Sequence, residues 1–91
     1  MFLLLSGDQM FINKAKDGSN NISGTNIMKL RVRLGISQRE LADRLQILGL
    51  DIDKNAIQRI EAGKRFVTDI ELSVFSDFFK VSLGELVCKK D

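Results

Sequence analysis

SQRELADRLQILGLDIDKNAIQRIEAGKR, Ser37 to Arg65, decides how the chain is read. The stretch opens on a hydroxyl with Glu40 three positions on, and places Leu41, Ala42 and Leu45 at helical spacing. It resumes at Asp53, with Ala56, Ile57 and Ile60 again at helical spacing and Gly63 behind them. Each half reads as a short amphipathic helix behind its own polar N-cap. Two helices joined by a tight turn usually connect in about 3–4 residues. Here Gln46 to Ile52 separates Leu45 from the cap Asp53. The apolar stripe continues through Leu48, and Gly49 supplies a stop. The stretch therefore predicts about one added helical turn and a slightly longer link, with Leu50 buried.

Outward from this segment the same grammar repeats. Five times a polar cap candidate is preceded by an apolar residue and followed four positions later by another. The sets are Ile22/Ser23/Ile27, Ile36/Ser37/Leu41, Ile52/Asp53/Ile57, Val67/Thr68/Leu72 and Val81/Ser82/Leu86. This is the hydrophobic staple, and Ser37…Glu40, Thr68…Glu71 and Ser82…Glu85 add capping boxes. Gly35, Gly49 and Gly63 stand where helices one to three would stop. The spacing predicts helices near 24–34, 38–48, 54–62, 69–80 and 83–88, and no stretch alternates as a strand does. Ile27, Leu30, Leu34, Leu41, Ala42, Leu45, Leu48, Ala56, Ile57, Ile60, Leu72, Phe75, Phe79, Leu83 and Leu86 form the expected core. The predicted fold is all-α, a compact five-helix domain over residues 23–88. Residues 1–22 read as a flexible lead-in because NKAKDGSNN (Asn13–Asn21) is polar and rich in turn formers, and residues 89–91 as a tail.

Composition excludes several functions. A chain of 91 residues with 44% hydrophobic residues supports one small core. There is no histidine, which removes the commonest general base and the commonest metal ligand. Cys88 is the single cysteine, too few for a thiolate zinc site or an internal disulfide. No catalytic residue, metal or cofactor is expected. MFLLLSG at the start lacks the basic region of a signal peptide, and no run approaches the roughly 20 apolar residues of a membrane span. A cytoplasmic protein with no membrane partner is the expectation. Net charge is only +2, but it is unevenly spread. From Ile27 to Val67 nine bases face five acids; from Thr68 onward three bases face five acids. One basic half suggests a face that meets a polyanion.

Arg31, Gly35-Ile36-Ser37-Gln38, Leu41-Ala42, Ile60-Glu61-Ala62-Gly63-Lys64-Arg65 and VSLGEL (Val81–Leu86) together carry a resemblance. The sequence from roughly Ile22 to Val87 resembles the Cro/C1-type (XRE, phage-repressor-like) helix-turn-helix proteins, in a long-turn variant. The resemblance makes helix three the recognition helix. Its exposed face carries Lys54, Asn55, Gln58 and Arg59, at i, i+1, i+4 and i+5. Lysine and arginine bond guanine, and asparagine and glutamine pair with adenine, so these four are the candidate base readers in double-stranded DNA. By resemblance Gln38 clamps a phosphate and also braces the recognition helix, Lys64 and Arg65 lie on the DNA backbone, and Arg31 and Glu61 form a structural ion pair between helices one and three. Arg39 and Arg44 read as ordinary solvated charges.

Helix four departs from the family pattern. Ile70, Val74 and Phe78 join Leu72, Phe75 and Phe79 in an apolar arc of roughly 200°. Either the N-terminal apolar patches or a second subunit would cover it; a homodimer interface at Ile70, Val74 and Phe78 is the expectation. The functional expectation is a sequence-specific DNA-binding transcriptional regulator, a repressor by family analogy. The alternative is an antitoxin-like interaction module whose main partner is another protein.

Overall fold

The computed structural model describes residues 14–88. Helices begin behind the marked caps: α1 (Gly24–Arg33), α2 (Gln38–Ile47), α3 (Lys54–Glu61), α4 (Asp69–Phe79) and α5 (Leu83–Val87). Each ends one residue before its predicted limit, and no strand occurs among the described residues. The caps account for first-turn N–H groups that the helix leaves without partners. Ser37 Oγ accepts from the Glu40 N–H, and Asp53 Oδ1 from that of Ala56. Thr68 and Glu71 close a complete capping box, as do Ser82 and Glu85.

One expected capping box and one expected cap are built differently. Glu40 does not reach back to Ser37; it binds Arg44 at 2.8 Å, one turn along the same helix. The Ser23 side chain caps nothing, and Asn21 Oδ1 accepts from the Gly24 N–H at 2.8 Å instead. Ile22 is accordingly exposed rather than stapled to Ile27. Helix four ends without a glycine. Lys80 itself takes the left-handed conformation, at φ 59°.

Ile27, Leu41, Leu45, Ile57, Ile60, Phe75 and Leu86 are fully buried, with Ile36, Ala42, Leu50 and Ile52 completing the core. Leu30, Ala56, Leu72 and Phe79 are partly buried against it. Leu34, Leu48 and Leu83, expected inside, are each more than half exposed. Leu34 and Leu48 are the C-cap residues of their helices, and Leu83 is the first residue of α5. The apolar stripe there runs on past the last neighbouring helix. Helix α3 packs on α2 and on α1, α4 touches α2, and α5 ties α4 to α1. At the α1–α3 contact the start of α1 lies against the Ile60 carbonyl, where a Cβ on Gly24 would collide with it.

The long connection between α2 and α3 is part of this core. Gly49, at φ 94°, turns the chain out of α2, and the Leu50 N–H returns to the Leu45 carbonyl at 3.1 Å. Leu50 and Ile52 then point inward, while Ile47 remains exposed. Gln46 Nε2 donates to the Ile52 carbonyl at 2.7 Å and pins the two ends of the link together.

Residues 14–22 belong to the stretch expected as a lead-in. These residues form a strap across the end of α3. The Asn20 N–H donates to the Gly63 carbonyl at 2.7 Å, and Asn21 Nδ2 to the carbonyls of Ile60 and Arg65. Polar turn formers, read as solvated, here satisfy backbone carbonyls some forty residues away. The N-terminal apolar patches (Phe2–Leu5 and Met10–Ile12) and the tail 89–91 lie outside the described residues.

Candidate nucleic-acid interface

Helix α3 has two unlike sides. Ile57 and Ile60 are fully buried, and Ala56 is half-buried beside them. Lys54, Asn55, Gln58 and Arg59 are all exposed. The burial of one side fixes the helix on α1 and α2 and leaves these four side chains on the surface together. None of the four is held in a side-chain hydrogen bond or ion pair within the described residues. A groove of about 330 Å³ runs beside the start of α3, lined by residues including Arg39, Asp43, Gln46, Asp53 and Lys54.

A polar bridge sets the angle of α3. Arg31 Nε and Nη2 donate to the two oxygens of Glu61 at 2.7 and 3.0 Å, a bidentate fork between α1 and α3. Arg31 Nη1 also reaches the Ile36 carbonyl at 2.9 Å. The Glu61 side chain is only 4% exposed and takes a third bond, 2.9 Å from Gln38 Nε2 on α2. One carboxylate thus joins three helices. The Glu61 hydrogen bonds hold the Arg31 guanidinium charged, raising its pKa above the usual arginine value. Among the described residues no buried side-chain polar atom lacks a partner.

A second fork lies behind the loop that follows α3. Arg65 Nη1 and Nη2 bind the two oxygens of Glu71 at 2.9 and 2.8 Å, and Nη1 also reaches the Phe66 carbonyl. Glu71 Oε1 is shared with the capping box of α4 through the Thr68 N–H. The Arg65 hydrogen bonds hold the Glu71 carboxyl below the usual glutamate range against the opposing effect of burial, with the Thr68 backbone bond assisting. Lys64, next in line, is exposed and turned to solvent.

A helix-turn-helix family model matches residues 27–86, about two thirds of the chain. The chain belongs to the Cro/C1-type helix-turn-helix family. No curated protein and no solved structure gave a match. As a Cro/C1-type protein it is a DNA-binding helix-turn-helix regulator. Within that frame the Cro/C1-type match covers all of α2, the long turn and α3, and begins after the strap of residues 14–22.

The four candidate base readers share one exposed face. Gln38 and Arg65, expected on phosphate, each hold a buried or half-buried carboxylate in the DNA-free chain. Ile70 is 71% exposed, whereas Val74 and Phe78 rest partly on the core. Sequence reasoning missed the Arg65–Glu71 fork and the Asn20 and Asn21 anchors. The first had a signal: a box glutamate keeps one oxygen for another donor, and Arg65 lies six residues before it. The second had none, because an asparagine in a polar run looks alike whether it binds water or a distant carbonyl. No helix of the described residues is long and apolar enough to cross a membrane.

Proposed function

We propose that the protein is a sequence-specific transcriptional repressor, acting in the cytoplasm as a homodimer that lays α3 in the major groove of duplex DNA. The observation that carries this reading is the face of α3: four exposed base-reading side chains on a helix whose other side is locked into the core. Lys54 and Arg59 would take guanine edges, Asn55 and Gln58 adenine edges. Lys64 and Arg65 fit the sugar-phosphate backbone. Arg65 does so while forked to Glu71, since its Nε–H stays available. Gln38 keeps one amide hydrogen for phosphate while the other holds Glu61.

The homodimer reading rests on exposed apolar residues at the start of α4. Ile70 and, just before the helix, Phe66 are both more than half exposed. Val74 and Phe78 would add the edge that the core leaves uncovered. A two-fold pair of α3 helices reads half-sites one turn apart, about 34–36 Å.

Selection from a randomised duplex library tests the function, read beside the mass of the protein in solution. The expected result is one enriched palindromic motif and a dimer mass. Arg59→Ala should relax preference at one base position and weaken the preferred site by about 1–3 kcal/mol. Lys64→Ala should weaken all sequences alike. No enriched motif, or identical behaviour of the two variants across the library, refutes the division into readers and positioners.

A further inference from the structure

The strap of residues 14–22 lies outside the family-matched region, yet it is tied to the loop assigned to the DNA backbone. The Asn20 side chain lies in a relay. Its Nδ2 donates to the Lys64 carbonyl at 3.1 Å, and its Oδ1 accepts from Lys14 Nζ at 3.0 Å. The Lys14 ammonium is therefore two hydrogen bonds from the backbone of Lys64. It is exposed, and an ammonium has three donors, so two remain for another acceptor. Ser19 packs closely on Gly63, where an added Cβ would come within 2.9 Å of the serine Cβ, so the strap follows the loop closely.

Charge favours an anion here. Lys14 and Lys64 are exposed on the strap and the loop. The acid of the strap, Asp17, is turned onto Ser19, whose N–H and Oγ donate to it at 2.9 and 2.6 Å. Asn20 and Asn21 also engage the carbonyls of Ile60, Gly63, Lys64 and Arg65, the partially negative groups at the end of α3 and in the loop. Their donors offset carbonyl dipoles that would oppose an approaching phosphate.

We propose that Lys14 is a further DNA phosphate-binding residue, held beside Lys64 by Asn20, so that the strap extends the protein's footprint on the DNA backbone. This rests on the DNA-binding reading of the loop. Binding to one duplex is measured against salt for the full chain and for Lys14→Gln, Lys14→Arg, Lys16→Gln and Lys64→Gln. Each phosphate contact adds about 0.9 to the slope of log affinity against log salt. Raising salt fourfold should thus weaken the wild type about three- to fourfold more than Lys14→Gln. Lys64→Gln should show the same flattening, Lys14→Arg should restore the wild-type slope, and Lys16→Gln should keep it. The thermal midpoint of Lys14→Gln should match the wild type, which separates lost contact from lost folding. A slope flattened by Lys64→Gln but unchanged by Lys14→Gln overturns the proposal and leaves the DNA-binding reading intact. A slope unchanged by both removes the whole loop from the interface, and Lys14 with it. A chain that binds no duplex at any salt overturns both readings.

Discussion

Arg31→Ala is the substitution whose outcome the structure constrains most. It deletes both donors of the fork to Glu61 and the bond to the Ile36 carbonyl. The Glu61 carboxylate, 4% exposed, would then keep Gln38 alone as a side-chain partner. Breaking a buried pair from one side costs about 3–5 kcal/mol, because the remaining charge stays buried and uncompensated. Arg31 is itself 14% exposed, and water can enter where it stood, so the lower figure of about 3 kcal/mol applies. In a domain of this size each kcal/mol shifts the thermal midpoint by about 4–8 °C, giving a fall on the order of 12–24 °C. Far-UV circular dichroism on heating reads it directly. The double variant Arg31→Ala/Glu61→Ala should lose less than the sum of the two single variants, since no orphaned charge remains. DNA affinity, measured well below the lowered midpoint, should change less than stability does. An unchanged midpoint with binding lost would refute the reasoning, placing Arg31 on DNA and not in the frame of the fold.

Other predictions follow from the same geometry. The folded pKa of Glu71 lies below the unfolded glutamate value of about 4.3, so its contribution is complete above that pH and is lost as pH falls through the folded value; Glu71→Gln should lower the midpoint at neutral pH and make the acid-side decline shallower in thermal melts. Leu50→Ala, at a position 9% exposed, should cost about 2 kcal/mol, while Ile47→Ala, at 84% exposed, should stay within about 0.5 kcal/mol in urea titrations; equal effects would mean the turn is not part of the core. Lys80→Gly relieves a left-handed residue and should raise the midpoint by a few degrees, a gain of up to about 1 kcal/mol; a fall would show that the Lys80 side chain matters more than its backbone.

The sequence carried the helices because each start is written locally: a cap, an apolar residue before it, another four after. Four of the five caps work as that grammar says, since the oxygen and the N–H it meets lie within one turn. The fifth failed at Ser23: its side chain caps nothing, and Asn21, two residues earlier, presents its side-chain oxygen to the Gly24 N–H, an alternative that spacing alone does not rank. Helical periodicity identified the inward face, but it does not tell how far along a helix a neighbour extends. Leu34 and Leu48 are exposed for that reason. The exposed face of α3 was legible because burial of Ile57 and Ile60 dictates which residues remain outside. The brace from Gln38 to helix three came from the resemblance alone; its partner Glu61 was not legible, since the position of Glu61 relative to α2 depends on three helices meeting. The same holds for the strap, whose bonds join residues with no local relation.

Leu50 and Ile52 in the core, with Gln46 across the link, have a consequence for how the protein meets a ligand. The connection that sets the position of α3 cannot loosen without exposing core side chains. Folding and placement of the exposed face of α3 are then one cooperative event. The connection is already packed and pinned before any ligand is met, so little of its conformational freedom remains to be lost on association, and the entropy that a loosely tethered helix would surrender is spared.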